Sequence, residues 1–195
     1  MKILAFETTD AVASVALYLD GAIHETVIDS NKRHAESVLP AAEELLAAYG
    51  LSTSDMDAFA ADVGPGSFTG VRIGVCMANA LGAAHQKPVI AVNALETLAE
   101  PYSEETVCAL IDARNGNGYG ALYHCSEPMQ APCACVTAEF LASLPEDCRM
   151  VGSATSNPKL PSAASVARIA AQRQGEKEIA PLYLKLSQAE RMWHT

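Results

Sequence analysis

The chain has 195 residues, half of them hydrophobic and 18% charged, which excludes disordered and collagen-like classes and allows one domain or two small lobes. With 13 Lys and Arg against 23 Asp and Glu the formal net charge is −10, and no basic cluster exceeds the pair Lys32-Arg33; such a chain should repel nucleic acid by itself, so any nucleic-acid role must run through a partner. There is no cationic leader and no run of about 18 apolar residues, which predicts a cytoplasmic protein without a membrane segment, and in that reducing compartment Cys76, Cys108, Cys125, Cys133, Cys135 and Cys148 are expected as free thiols.

Residues 2–7 and 12–19 are apolar runs joined by Thr8-Thr9-Asp10, and Asp20-Gly21 makes a tight connection to residues 22–29. This spacing predicts a three-stranded antiparallel meander. From His34 the apolar residues Ala35, Val38, Leu39, Ala42, Leu45, Leu46 and Tyr49 recur at three and four, a helical period stopped by Gly50. Pro40 sits inside that helix and removes one backbone donor. The opposite face, Ser37, Ala41, Glu44 and Ala48, is small and lightly charged, so another helix could lie against it.

Residues 56–63 read as a buried strand, 64–70 as a glycine-rich loop and 71–85 as a helix that is apolar nearly all round. Gly70, Gly74, Ala78 and Gly82 form a smooth ridge at four-residue spacing. A strand over 89–92 and a short helix from Asn93 to about Glu100 follow, and Pro101 ends a first lobe. Residues 107–112, a polar turn at 115–118 and a strand over 119–125 then repeat the opening plan: strand, acidic turn, strand. Two such beginnings are what a duplicated actin-like (ASKHA, RNase H-like) α/β fold requires, here as lobes 1–101 and 102–195 with the second reduced. Residues 126–132 read as a loop, 162–174 as a helix and 181–184 as a last short strand.

The sharpest local feature is Gly64-Pro65-Gly66-Ser67-Phe68-Thr69-Gly70-Val71-Arg72-Ile73-Gly74 at a strand-to-helix junction. Bare glycine amides, the hydroxyls of Ser67 and Thr69 and a helix N-terminus can hold an anion. The segment lacks the Lys-Ser/Thr of a P-loop and the glycine spacing of a dinucleotide fingerprint, so a turn whose glycines allow tight packing explains it as well, with Ser67 capping the helix. Glu7 and Asp112 stand where an actin-like phosphotransferase places acids that hold magnesium or orient water; the plainer reading is two carboxylates capping their own turns. His34 and Glu36, two apart, do not share a helix face, and His124, Cys125, Cys133 and Cys135 lack paired Cys-x-x-Cys geometry, so no metal site is expected.

The segment from Gly64 to Gly74 resembles the signature of the TsaB (YeaZ) family. Three more blocks resemble the family in order: Arg33-His34-Ala35-Glu36-Ser37-Val38-Leu39-Pro40, Ile111-Asp112-Ala113-Arg114 and Pro181-Leu182-Tyr183-Leu184-Lys185. The resemblance implies an actin-like fold and a first helical pair used for dimerisation. It implies a heterodimer with the sister subunit TsaD, association with the ATPase TsaE, and a homodimer when TsaD is absent. Together these proteins attach a threonylcarbamoyl group to adenosine 37 of tRNA, which this chain would meet only through the complex. On this reading Arg33, His34, Glu36, Ser37, Pro40, Ala41, Glu44, Ala48, Gly70, Arg72, Gly74 and Ala78 form the partner interface. Glu7, Gly64, Gly66, Ser67, Thr69 and Asp112 form an anion or nucleotide loop. No tightly bound cofactor is implied, and weakly held ATP or ADP would sit at the subunit interface. TsaD carries His-x-x-x-His metal ligands after the strand that corresponds to residues 89–92; here Ala94 and Leu98 occupy the two positions, and hydrocarbon offers no lone pair. The chain is therefore expected to be a non-catalytic relative of TsaD; a small ATP-dependent phosphotransferase is the alternative, and a glycoprotease-like metallopeptidase a weaker one. Two departures from the family are Glu7, where Asp is usual, and the short second lobe.

Overall fold

The computed structural model describes residues 1–28, 34–145 and 147–185. Its first sheet is built on β1 (Lys2–Glu7), β2 (Ala13–Leu19) and β3 (Ala22–Ile28), the antiparallel meander the sequence predicts. α1 (His34–Ala47) leads to β4 (Ala58–Asp62), and α2 (Phe68–His85) to β5 (Val89–Val92). β4 pairs parallel to β1 and β5 parallel to β4, giving the order β3-β2-β1-β4-β5.

β1 and β4 read as unbroken apolar runs because both faces of this sheet are covered. Leu4, Phe6, Phe59 and Ala61 meet Val38, Ala42, Leu45 and Leu46 of α1 and Val71, Val75 and Ala78 of α2. On the other face Ile3, Ala5, Ala58, Ala60 and Ile90 meet Ala163, Val166, Ala167 and Ala170 of a helix from much later in the chain, α5 (Ala163–Ala170). Fully burying a side chain such as Val38, Leu46 or Val166 is worth roughly 2–3 kcal/mol, so these two layers hold the lobe together.

After α3 (Ala94–Ala99) the second sheet repeats the plan. β6 (Thr106–Asp112), β7 (Asn117–His124) and β8 (Glu127–Val136) form a second meander, α4 (Thr137–Ala142) follows, and β9 (Arg149–Val151) pairs parallel to β6. The order β8-β7-β6-β9 matches the first sheet strand for strand up to the missing fifth. Glu7 pairs with Ser14 across the first turn and Asp112 with Gly118 across the second, so the two acids hold equivalent places in the two lobes. This is the duplicated actin-like fold with a reduced second lobe.

Three expectations are corrected. The chain does not divide at Pro101 into 1–101 and 102–195: α3 packs its Ala94, Leu95, Leu98 and Ala99 on the second sheet, while α5 returns to the first. There Ser162 caps α5 by accepting from the Ser165 amide, and the Ala163 and Ala164 amides donate to Ser14 Oγ (2.9 Å) and Glu25 Oε1 (3.1 Å). Of the expected loop 126–132, only Ser126 is in a turn; residues 127–132 are the first part of β8, an exposed edge strand that tolerates Pro128 and Pro132. Residues 181–184 form no strand; Leu182 donates one amide to the Val63 carbonyl (2.7 Å) and the ladder goes no further.

Candidate functional site

The carboxyl ends of β1 and β4 bring together two acids that the sequence keeps 55 positions apart, Glu7 and Asp62. Both are 0% exposed, as is Thr8. Glu7 Oε1 accepts from the Thr9 amide and the Thr9 hydroxyl, each at 2.6 Å, and Asp62 Oδ1 accepts from the Gly64 amide at 2.8 Å. That leaves Glu7 Oε2 and Asp62 Oδ2, both buried and without a hydrogen-bond donor among the described residues. Two bare carboxylates cannot hydrogen-bond, and two buried like charges repel, so one proton is shared. Burial raises the Glu7 carboxyl above its ordinary range. Burial first, and then the Glu7 charge beside it, raises Asp62 well above its own. Asp62, raised the more, is the side of the pair on which a proton is held more firmly.

The glycine loop closes over this pair. The Ser67 amide donates to the Thr9 carbonyl (2.7 Å), the Thr8 hydroxyl donates to the Gly70 carbonyl (2.7 Å), and the Gly70 amide donates to Ser67 Oγ (3.3 Å), the expected N-cap. A Cβ on Gly66 would lie 2.5 Å from the Thr9 carbonyl oxygen, and one on Gly70 only 2.0 Å from that of Thr8. The glycines of this loop thus let two turns press together, and the amides of Gly64, Ser67 and Gly70 are spent inside the protein. The Gly64 and Ser67 amides expected to hold an anion are therefore already bonded within the chain. Thr69 is exposed on the first turn of α2.

Asp112 does not join Glu7. It is exposed on the second sheet, where its Oδ1 accepts from the Arg114 amide (2.8 Å) and caps its own turn. Arg114, Asn115 and Gly116 all have positive φ (65°, 54° and 74°), a tight turn that this cap helps to hold. Glu7, the acid expected to orient a nucleotide, is sealed, while its counterpart lies in solvent.

On α3, Asn93 caps the helix by accepting from the Leu95 amide (2.8 Å), and Ala94 (0% exposed) and Leu98 (3% exposed) lie in the apolar cluster over the second sheet. Among the described residues no group of three or more His, Cys, Asp or Glu could hold a metal ion. His124 Nδ1 is hydrogen-bonded to the Thr106 hydroxyl (2.8 Å) at the far end of β7, whereas Cys133 and Cys135 pair with Gly120 and Gly118 and pack around Phe140.

The residues expected at a partner interface separate into two groups. Gly70, Gly74 and Ala78 are buried against their own sheet, and a Cβ on Gly74 would sit 2.7 Å from Thr8 Oγ1. The small-residue ridge serves close packing within the chain, and its assignment to the interface is corrected. Glu36, Pro40 and Glu44 on α1, Ala48 just after it and Arg72 on α2 are exposed; Ser37 and Ala41 are half-buried, Ala41 against the core. Arg33 and the side chain of His34 lie outside the described residues.

Sequence reasoning missed Asp62, and it gave no role to Phe68 and Tyr183, which are 44% and 46% exposed and stack with ring centroids 5.1 Å apart. The signal for Asp62 was its place at the end of a buried strand, two residues before a glycine.

Fold and site together define an actin-like protein with a reduced second lobe and a closed acid pair where such folds open a cleft. A family model described as TsaD: tRNA N6-adenosine threonylcarbamoyltransferase matches residues 25–156, two thirds of the chain, and the chain belongs to that family, with the TsaB (YeaZ) proteins among its relatives. It is similar to the tRNA threonylcarbamoyladenosine biosynthesis protein TsaB of Escherichia coli, 38% identical over 131 residues that cover 65% of this chain and 57% of that one. TsaB of Bacillus subtilis is 36% identical over 126 residues, covering 63% and 55%. The chain thus spans just over half the length of the curated relatives it matches. A crystal structure from Pseudomonas aeruginosa, described as an uncharacterized protein with similarity to the peptidase YEAZ, superposes with a TM-score of 0.85 at 28% identity, over 94% of this chain and 99% of that one. No described helix is long and apolar enough to cross a membrane.

Proposed function

We propose that this chain is a non-catalytic partner subunit in tRNA N6-threonylcarbamoyladenosine biosynthesis. It docks a TsaD-type transferase subunit through the outer faces of α1 and α2, pairs with a second copy when that subunit is absent, and meets TsaE and tRNA only in the assembled complex. The observation that carries the reading is on α3: Ala94 and Leu98, at the places where TsaD has metal ligands, are buried hydrocarbon and have no lone pair to offer. The sealing of Glu7 and the inward use of the Gly64, Ser67 and Gly70 amides support the same reading, because they withdraw one acid and three donors from a nucleotide. The names of the relatives agree in tone: the TsaB proteins are called biosynthesis proteins and carry no enzymatic name. The chain holds no nucleotide tightly on its own; weak ATP or ADP binding belongs to the subunit interface.

Reconstituted tRNA modification tests this. Purified TsaD and TsaE of the same organism, with the threonylcarbamoyl donor and tRNA, should form the modified adenosine only when this chain is added, and this chain alone should form none. Full modification without it, or turnover by the chain alone, defeats the reading.

A further inference from the structure

At the start of α2 the chain displays a cation on an aromatic platform. The Arg72 guanidinium carbon lies 3.8 Å from the Phe68 ring centroid, and its Nε donates to the Tyr183 hydroxyl at 2.9 Å. Tyr183 comes from the segment that follows α5, 111 positions away, and reaches α2 after the Asn79 side chain has pinned the backbone of Ile179 (2.8 and 2.9 Å) and Leu182 has bonded to Val63. All three side chains are exposed.

Arg149, Arg168 and Arg173 are paired with Glu105, Glu100 and Glu96. Arg72 has no carboxylate partner among the described residues, in a chain whose acids outnumber its bases by 23 to 13. Its face is covered, its Nε is occupied, and its two terminal nitrogens have no acceptor among the described residues. A guanidinium held flat in this way presents a fork that matches a carboxylate bidentately, and little side-chain freedom remains to be lost on binding. Exposed Arg, Tyr and Phe in one cluster are the composition of a binding hot spot. One and two turns further along the same side of α2, Cys76 and Ala80 are exposed and short, so a partner backbone can come close beside the anchor.

We infer that Phe68, Arg72 and Tyr183 form the anchor of a protein–protein contact that receives a carboxylate side chain from a helix of the partner subunit. This rests on the docking role proposed above and adds to it a residue outside the two helices and the chemistry of the group received. A carboxylate is favoured over a phosphate of RNA because the chain carries a net charge of −10, and phosphate backbones are held by several cations.

The test measures binding of the wild-type chain and its variants to the tRNA N6-adenosine threonylcarbamoyltransferase of the same organism by titration calorimetry, with melting temperatures as folding controls and tRNA anisotropy on the isolated chain in parallel. Arg72→Ala should weaken the complex by about 30-fold without changing the melting temperature. Arg72→Lys keeps the charge and loses the fork, and should fall with Arg72→Ala. Tyr183→Phe, which frees the guanidinium but keeps the ring, should cost about threefold to tenfold. If the wild type binds and Arg72→Ala loses less than about fivefold, the anchor is refuted while the docking role stands. If Arg72→Lys binds as wild type, the stacked fork is refuted. If the wild type does not bind, the docking role itself fails. Binding of tRNA by the isolated chain that Arg72→Ala abolishes would replace the carboxylate with nucleic acid.

Discussion

The shared proton between Glu7 and Asp62 makes a quantitative demand on stability. Unfolded, both carboxyls are ordinary and give up their protons by about pH 5. Folded, burial and mutual repulsion raise both, Asp62 the more, so the native pair keeps one proton that the unfolded chain has released. The native state then binds more protons, and stability falls as pH rises, by up to about 1.4 kcal/mol per pH unit for one proton, from the ordinary carboxylate range to the point where the pair itself ionises. Asp62→Asn leaves an oxygen to accept from the Gly64 amide and places an N–H where the carboxyl O–H pointed, with nothing to lose at high pH. Urea denaturation followed by far-UV circular dichroism from pH 5.5 to 8 should show the variant gaining on the wild type at up to that slope. Glu7 stays buried and raised in the variant, which reduces the difference below that upper slope, while groups outside the pair are common to both chains and cancel. Parallel stability curves would refute the shared proton.

Gly74→Ala should destabilise the chain by about 1–3 kcal/mol in thermal or urea melts, because its Cβ meets Thr8 Oγ1 and breaks the buried hydrogen bond to Gly70; Gly70→Ala, pressed on a backbone carbonyl that cannot step aside, should be worse. Glu44→Arg on the outer face of α1 should leave stability within about 0.5 kcal/mol and prevent co-elution with the TsaD-type subunit on size exclusion. With an aromatic disulfide reagent at pH 8, Cys76 and Cys125, both exposed, should react promptly in the native protein. Cys108, fully buried with its thiol pushed up to about 12 by burial, should react only in denaturant.

Local pattern carried the opening meander, the period of α1, the Ser67 cap and the repeated strand-acid-turn-strand plan, because each depends on residues close in sequence. The pairing of Glu7 with Asp62 depends on β1 and β4 lying parallel across a helical crossover, and no local signal states that. The ridge of Gly70, Gly74, Ala78 and Gly82 signals that something comes close; whether that is a foreign helix or the chain's own Thr8 and Val89 is a tertiary fact. β8 was hidden by its own edge position, since two prolines and a row of exposed residues look like a loop unless one side of the strand alone is paired. α5 reads as a helix, but its alanines suit either sheet; the amides capped by Ser14 and Glu25 decide for the first.

The two turn acids hold equivalent places in the two lobes and meet opposite environments. An actin-like cleft needs its acids facing the same open space, each ionised and within reach of a ligand. Glu7 spends one oxygen on the Thr9 amide and hydroxyl, keeps the other buried beside Asp62, and has no exposure. Asp112 keeps the matching register but spends an oxygen on the Arg114 amide in solvent. What the duplication preserves is turn geometry: an acid at the end of a first strand that fixes the entry to the second. Once the acid in the first lobe is enclosed, the Gly64 to Gly74 segment can be packed hard against it, and α2 becomes a rigid rod whose outer face and stacked Arg72 are free to engage another protein.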